Sequence, residues 1–224
     1  MKKLLIPILI IAVLVMGAVH YTGIQPSTGG LRIGDDTTNY AQFATDGTLT
    51  MAGTAKVLNE HVISANSIAG GASGVVLDGS MLPYIGYEFG IGDNMYANFE
   101  VPETYDDSTD LALRIYWYIN EARDGNSQEV QWAIDWAACP VNETEAIDGP
   151  THTGTVDFGD QTIPVTAKHF TRTAQGTIAA ASLSSGDIIG LDINRVVLDA
   201  GNSPTAEPAI VRIEIEYTSD KLGE

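Results

Sequence analysis

The chain has 224 residues, 29 of them acidic and 11 basic, which gives a net charge of −18. A chain this negative is not a nucleic-acid binder, because such proteins need a basic footprint. Charged residues are only 18% of the chain and hydrophobic residues 44%, which excludes a charge-rich disordered protein. The 23 glycines and 9 prolines indicate a turn-rich, β-rich fold, and a single cysteine, Cys139, excludes an internal disulfide framework.

The chain begins with a short basic region followed by an apolar run. Lys2 and Lys3 precede residues 4–19, which carry no charge. This pattern is typical both of a secretory signal peptide and of a membrane anchor that stays attached, and the sequence leaves the two alternatives open. We expect residues 1–22 to form a hydrophobic helix that keeps the lysines in the cytoplasm and directs the acidic remainder across a membrane.

A linker and a small β region are predicted next. Residues 23–30 are rich in Gly, Pro and Ser, which predicts a linker. Residues 31–80 are predicted to be an N-terminal β region of short strands, with a hairpin turn at Asp46-Gly47. Within this region the Gly-, Ala- and Ser-rich stretch 64–79 is expected to be a loop or an extended crossing.

The remainder, residues 81–224, alternates apolar and polar residues with the period of β-strands. Each such strand can bury one face and expose the other, as antiparallel sheets do. The pattern is carried by five stretches: 85–91, 95–101, 111–119, 130–136 and 211–217. The sequence therefore predicts an all-β fold, an antiparallel β-sandwich or jelly roll, with a small N-terminal β region and an N-terminal hydrophobic helix.

No arrangement of residues in the sequence predicts catalysis. The histidines, among them His152 and His169, form no His-x-His or His-x-Asp pair, and Cys139 has no recognisable activating partner. No phosphate-binding loop and no nucleophile elbow occur. We therefore expect no catalytic residues, no cofactor and no enzymatic activity.

One acidic loop is a candidate calcium site. Asp106, Asp107 and Asp110 lie close together in it, and Ca²⁺ takes six to eight oxygen ligands from such loops. The spacing matches no EF-hand, so a solvated acidic turn is the favoured interpretation. The three aspartates stay as weak calcium candidates, and no other metal ligands are predicted.

Aromatic residues supply the remaining predictions. Trp117, Trp132 and Trp136 fall on the inward register of their strands and are expected to fill the core. Tyr116 and Tyr118 lie on the opposite register of the first of these strands. They are interface candidates, either for packing within the chain or between subunits, or as a platform for sugar.

The order of several motifs resembles a known family. Gly30-Leu-Arg-Ile-Gly-Asp-Asp opens the similarity; Met95 to Pro102 with the strand Leu111 to Trp117 continues it, and so does Val130-Gln-Trp132. Residues 186–195 and 213–223 look like the final strands and tail. Together these residues resemble β-rich virion structural proteins of prokaryotic viruses. The resemblance implies a jelly-roll protein of a particle shell or its attachments, although the N-terminal apolar segment departs from tailed-phage shell proteins.

Two functions remain open on these grounds. The first is a non-enzymatic virion structural protein that self-assembles in or on a viral particle. Its expected partners are copies of itself, other virion proteins and a membrane through residues 4–22, but no nucleic acid. The alternative is an extracytoplasmic surface or filament protein, or a carbohydrate-binding module, of a prokaryotic cell. Either way the protein is expected in a virion or outside the cytoplasm, associated with a membrane.

Overall fold

The fold is all-β, as predicted. The computed structural model describes residues 24–27, 30–34, 39–53, 56–70, 76–77, 86–124, 128–141, 145–198 and 201–222. Its strands form three antiparallel sheets, and these ranges include two short 3₁₀ segments, Ala65–Ser67 and Ala180–Ser182. The helix predicted for residues 1–22 lies outside the described residues. In the part that is described, no helix is long and apolar enough to span a bilayer.

The strands are numbered in chain order. They are β1 (Ile24–Ser27), β2 (Gly30–Gly34), β3 (Tyr40–Ala44), β4 (Leu49–Ala52), β5 (Val57–Ser64), β6 (Ala69–Gly70), β7 (Val76–Leu77), β8 (Tyr87–Glu88), β9 (Asn94–Glu100), β10 (Leu111–Ile119), β11 (Glu129–Cys139), β12 (His152–Thr162), β13 (Thr171–Arg172), β14 (Gly176–Ile178), β15 (Ile188–Val196), β16 (Pro208–Ser219) and β17 (Lys221–Leu222).

The chain divides into two units, residues 1–58 with 218–224, and residues 59–217. The first unit contains a five-stranded sheet in the order β1-β2-β3-β4-β17. The predicted hairpin turn joins β3 to β4. Gly47 adopts φ 94° there, a conformation that favours glycine, and the Thr48 amide donates to the Asp46 side chain at 2.9 Å.

The unit boundaries differ from the predicted ones. The predicted linker contains a strand, because β1 pairs with β2 over its whole length. The predicted β region ends at residue 58 rather than 80, since β5 joins the sheet of β16. The last residues belong with the N-terminal sheet, because β17 pairs with β4. Each difference depends on a pairing between strands, which the local sequence pattern does not contain.

The second unit is a hairpin rolled into two sheets. Four antiparallel pairs are nested along the chain: β8 with β16, β9 with β15, β10 with β14 and β11 with β12. These strands lie in two sheets, with the orders β14-β10-β16-β8 and β12-β11-β15-β9. This connectivity is that of a jelly roll, which agrees with the predicted architecture.

Tryptophans fill the space between the two sheets of the jelly roll. Trp117 of β10 and Trp132 of β11 are fully buried, and their ring centroids lie 6.1 Å apart in an edge-on arrangement. Trp136 is 9% exposed and belongs to the same core cluster. The prediction that all three tryptophans point inward is confirmed.

Candidate functional site

A groove lies on the outer face of the sheet formed by β12, β11, β15 and β9. It consists of two adjoining cavities of about 450 and 310 Å³, and both are lined by Asn98, Ala137 and Gly190. These three residues are cross-strand neighbours on β9, β11 and β15. Ala137 and Gly190, on the two central strands, have little or no side chain. The middle of the sheet is therefore left uncovered and forms the floor of the groove.

Gly190 is not required by the backbone of its strand. Its φ is not positive, and a Cβ placed on it would find its nearest neighbours at 3.8 Å, the Asn98 Oδ1, and at 3.9 Å, the Ala137 carbonyl oxygen. Both distances are ordinary van der Waals contacts. A larger residue would therefore fit on β15, and it would fill the groove.

Polar residues form one wall of the groove. Asp192 pairs with Asp135 on one neighbouring strand and with Tyr96 on the other. Each of the three lies two residues along its strand from the floor residue. The Asn94 side chain donates to the Tyr96 hydroxyl at 2.7 Å and to Asp192 Oδ2 at 3.5 Å. Asp192 Oδ1 is buried and has no hydrogen-bond partner in the described structure. This wall therefore contains one carboxylate oxygen, Asp192 Oδ1, that accepts no hydrogen bond from the described residues.

The two carboxylates of this wall differ in their environment. Burial raises the pKa of Asp192 above its ordinary value, the hydrogen bond from Asn94 opposes the rise, and the charge of Asp135 adds to it. Asp135 is exposed and accepts hydrogen bonds from the Thr155 hydroxyl at 2.5 Å and from Asn194 at 3.3 Å. Asp192 is therefore the carboxylate that gains most from a hydrogen-bond donor brought into the groove.

The other wall is apolar. Ile188, Val141 and Ile147 line the larger cavity and are 44%, 72% and 88% exposed. Cys139 lies beside them, and its thiol contacts the Glu145 carbonyl oxygen at 3.6 Å. None of the described residues that line either cavity is basic. The groove therefore combines apolar surface with hydrogen-bond acceptors and has no group that attracts an anion.

The two tyrosines predicted as interface candidates both contact their own chain, which is one of the alternatives that the sequence left open. Tyr118 is 1% exposed, packs edge-on against Phe170 at 6.0 Å between ring centroids, and lies over Gly86, where a Cβ would approach its ring to 2.9 Å. It therefore belongs to the interior of its own chain.

Tyr116 is half-buried and also contacts its own chain. The Arg212 guanidinium lies 4.1 Å from its ring centroid, and Arg172 donates to its hydroxyl at 3.4 Å. A charged network continues on the same face, where Arg114 bonds Glu214 at 3.0 Å. The outer face of this sheet is therefore covered by ion pairs rather than by an aromatic platform.

Two of the three calcium candidates, Asp106 and Asp110, accept hydrogen bonds from their own chain. Asp106 is 3% exposed and accepts a hydrogen bond from the Ser108 hydroxyl at 2.7 Å, and Asp110 accepts one from the Ala180 amide at 3.0 Å. Burial, with the charges of Asp110, Asp106 and Asp107, raises the pKa of the neighbouring Tyr105 to about 12. Over the described ranges, no group of three or more His, Cys, Asp or Glu side chains is placed to hold a metal ion.

Removing the side chains that most often carry chemistry should leave the fold intact. His152 is exposed on β12, His169 is exposed in the loop before β13, and Cys139 is half-buried. We expect His152→Ala, His169→Ala and Cys139→Ala each to change the free energy of unfolding by less than about 1 kcal/mol. Urea denaturation followed by circular dichroism measures this. Zinc-dependent stabilisation of the wild type that is lost in His152→Ala would contradict the absence of a metal role.

No protein-family profile and no curated protein sequence matches the chain. Among solved structures, latent PorU from Porphyromonas gingivalis is similar over 74% of this chain and 13% of its own, with 11% identity and a TM-score of 0.36. The infectious bursal disease virus Gx strain gives 11% identity and a TM-score of 0.35 over 88% of this chain and 39% of that one.

A third similar structure is SGBP-B, from a complex xyloglucan utilization locus in Bacteroides uniformis. It shares 9% identity and a TM-score of 0.24, covering 89% of this chain and 61% of its own. The chain therefore spans less than two thirds of each of these proteins. None of the three superpositions is close enough to assign a family or a function.

Proposed function

We propose that this chain is a non-enzymatic structural protein that associates with copies of itself through its N-terminal sheet, as a component of a virion. The observation that carries the proposal is an apolar face exposed on that sheet. The expected contacts with other virion proteins, and with a membrane through residues 4–22, belong to the same proposal.

The two faces of the N-terminal sheet have different chemistry. On one face Leu31, Ile33 and Phe43 are 42%, 41% and 45% exposed, and Leu31 lies directly opposite Phe43 in the pairing of β2 with β3. On the other face Arg32 lies 3.9 Å from the ring centroid of Tyr40 and donates to Gln42 at 3.4 Å. The polar face is engaged internally, whereas the apolar face presents hydrophobic surface for a partner.

The distribution of charge makes a second copy the preferred partner. Residues 59–217 hold 24 of the 29 acidic and 6 of the 11 basic residues, so the jelly-roll unit carries the whole net charge of −18. Residues 24–58 and 218–224, which contain the N-terminal sheet, hold five acidic and three basic residues, a net charge of −2, which Lys2 and Lys3 balance in the unit as a whole. Copies that approach through the jelly roll therefore repel each other, whereas contact through the N-terminal sheet brings together surfaces of low net charge.

A two-fold contact suits such a face, since the same apolar patch then serves both copies. The remaining repulsion between jelly rolls is long-range and is screened by salt, with a Debye length of about 10 Å at 0.1 M. We therefore expect association to strengthen with salt concentration, which is the reverse of what an interface held by ion pairs shows.

Polar substitutions on the apolar face test the proposal. In the full-length chain, replacing Leu31, Ile33 and Phe43 together by threonine keeps β-forming residues on the sheet but removes the apolar surface. We expect the wild type to associate in sedimentation velocity experiments, more strongly at high salt, and the triple variant to associate at least about tenfold more weakly.

The matched control replaces an exposed apolar residue of the jelly roll. Val165→Thr alters a side chain that is 67% exposed, and it should leave association unchanged. A wild type that remains monomeric at high concentration and high salt would contradict the proposal. Association that is insensitive to the triple substitution would show that other surfaces, such as residues 4–19, hold the copies together.

A further inference from the structure

The groove on the outer face of β9, β15 and β11 has features that a purely structural surface does not need. Glycine inside a strand weakens it, and often marks a place where a ligand or another backbone comes close. Gly190 lies in the third position of the nine-residue strand β15, where neither a positive φ nor a steric contact requires glycine. Its presence keeps open a cavity that a β-branched residue would close.

The second feature is the unused acceptor in the wall. Asp192 Oδ1 is shielded from solvent and unbonded, although its other oxygen accepts from Asn94. A buried polar atom without a partner costs about 1–3 kcal/mol. Because solvent does not reach Oδ1 in this arrangement, it can accept from a ligand hydroxyl in the groove only after the Asp192 carboxylate turns, and such a bond would remove this cost. The open floor and the unused acceptor are independent observations, and both point to a bound molecule.

The lining residues restrict the chemical class of that molecule. The lack of any basic residue, together with Asp135 and Asp192, excludes phosphate, sulfate and carboxylate ligands, which these charges would repel. Among the described residues, the three carboxylates that line the groove, Asp135, Asp192 and Glu145, do not form a group placed to hold a metal ion. The groove therefore rejects anions and suits a ligand that donates hydrogen bonds and carries apolar surface.

A sugar ring has these properties. Its hydroxyls would donate to Asp192 and to the Asn98 side-chain oxygen at the floor. Its C–H faces would lie against the apolar wall of Ile188 and the ring of Tyr96, which is 45% exposed. The cavities of about 450 and 310 Å³ lie within the range of roughly 300–1,000 Å³ that ligand sites occupy.

We propose that the groove lined by Tyr96, Asn98, Ala137, Ile188, Gly190 and Asp192 binds a neutral oligosaccharide. The chain would thus attach to glycans as well as assemble with its own copies. This binding activity goes beyond the structural role and does not depend on it, because the groove is on the jelly roll and the proposed self-association surface is on the N-terminal sheet.

The test measures binding of the full-length chain to immobilised neutral oligosaccharides, namely glucans, mannans, xylans and galactans, with titration calorimetry on the strongest of them. Sulfated and sialylated glycans and the polyamine spermine are included as charged probes. We expect a neutral glycan to bind, and both the anionic glycans and spermine to bind at least about tenfold more weakly. If no neutral glycan binds, or if spermine binds best, the proposal is wrong.

Variants locate the site. Gly190→Val fills the groove at a position where a Cβ has room, so it should keep or raise the melting temperature while it lowers affinity at least about tenfold. Asp192→Asn removes the charged acceptor and should weaken binding about tenfold. The matched control is Gly70→Val on β6, another strand glycine with no atom within 4 Å of a Cβ, which should bind as the wild type does.

Measurements of folding and of self-association on these variants distinguish a failure of the groove proposal from a failure of the assembly proposal. Gly190→Val that is folded and still binds at wild-type strength would place the glycan elsewhere and overturn the groove assignment. The triple threonine variant of the N-terminal sheet should keep full glycan affinity per chain. Failure of self-association therefore leaves the groove unaffected, and failure of glycan binding leaves the assembly proposal unaffected.

Discussion

Trp132→Ala is expected to lower the free energy of unfolding by about 3–5 kcal/mol. The side chain is fully buried between the two sheets of the jelly roll, with its ring 5.4 Å from that of Phe89 and 6.1 Å from that of Trp117. Truncation removes these contacts and leaves a cavity that neighbouring strands cannot close. Since a domain of this kind is stable by only about 5–15 kcal/mol, the variant should be close to unfolding under ordinary conditions.

A second substitution separates packing from hydrogen bonding at this position. The indole nitrogen of Trp132 is buried and has no hydrogen-bond partner in the described residues. Trp132→Phe keeps an aromatic ring and removes that donor, so we expect it to cost less than about half of the loss seen for alanine. Val165→Ala, at an exposed site, should fall within about 0.5 kcal/mol of the wild type. Urea denaturation followed by far-ultraviolet circular dichroism measures all three, and a loss below about 1 kcal/mol for Trp132→Ala would contradict the packing described here.

Arg114→Met is expected to destabilise the jelly roll by about 2 kcal/mol near neutral pH. Arg114 lies directly opposite Glu214 in the pairing of β10 with β16, and its guanidinium contacts Glu214 at 3.0 Å and Glu216 at 3.3 Å. The Glu214 side chain is only 7% exposed. Methionine replaces the aliphatic part of the arginine side chain but not its guanidinium, and it leaves a buried carboxylate with Arg212 as its remaining ion-pair partner, at 3.3 Å.

The pH dependence of this effect follows from the pKa of Glu214. Burial alone would raise it, but hydrogen bonds from Tyr116 and Arg114 and the charges of Arg114 and Arg212 outweigh burial, so the pKa lies below its ordinary value. The ionised carboxylate therefore stabilises the fold above the unfolded-state pKa of about 4.3, and this contribution is lost as the pH falls through the lower folded-state value.

The difference between wild type and Arg114→Met should accordingly shrink when urea denaturation is repeated at acid pH. Adding Glu214→Gln to Arg114→Met removes the unpaired charge and should recover part of the stability at neutral pH. A cost that stays constant across the titration of Glu214 would show that Arg114 acts through the packing of its alkyl chain rather than through the ion pair.

Strands with regular alternation could be predicted from the sequence alone, because the period of two is local. The stretches 95–101, 111–119 and 130–136 correspond to β9, β10 and β11. The prediction for 85–91 was too long, since only Tyr87–Glu88 pairs before the chain turns at Gly92, with φ 85°. β12 was not predicted, because only two of its inward positions, Val156 and Phe158, are large and apolar, and glycine and polar residues occupy most of the others.

The alternation of apolar and polar residues does not predict the burial of a side chain that is covered by residues far away in the sequence. Alternation puts Tyr118 on the outward register, yet Phe170, which is far along the chain, packs against it and Gly86 leaves room for its ring. The groove is a similar case. Asn98, Ala137 and Gly190 are unremarkable in sequence, and they form one floor only because the register of three strands aligns them.

The sequence by itself determined the all-β class, the inward tryptophans and the strongly acidic character of the chain, since each follows from local composition or periodicity. The tertiary structure decided where that charge lies. The pairings of β5 with β16 and of β17 with β4 set the unit boundaries, and these boundaries place a net charge of −18 on the jelly-roll unit and only −2 on residues 24–58 and 218–224, which contain the sheet. Strand pairing joins residues that are distant along the chain, so no local pattern contains it.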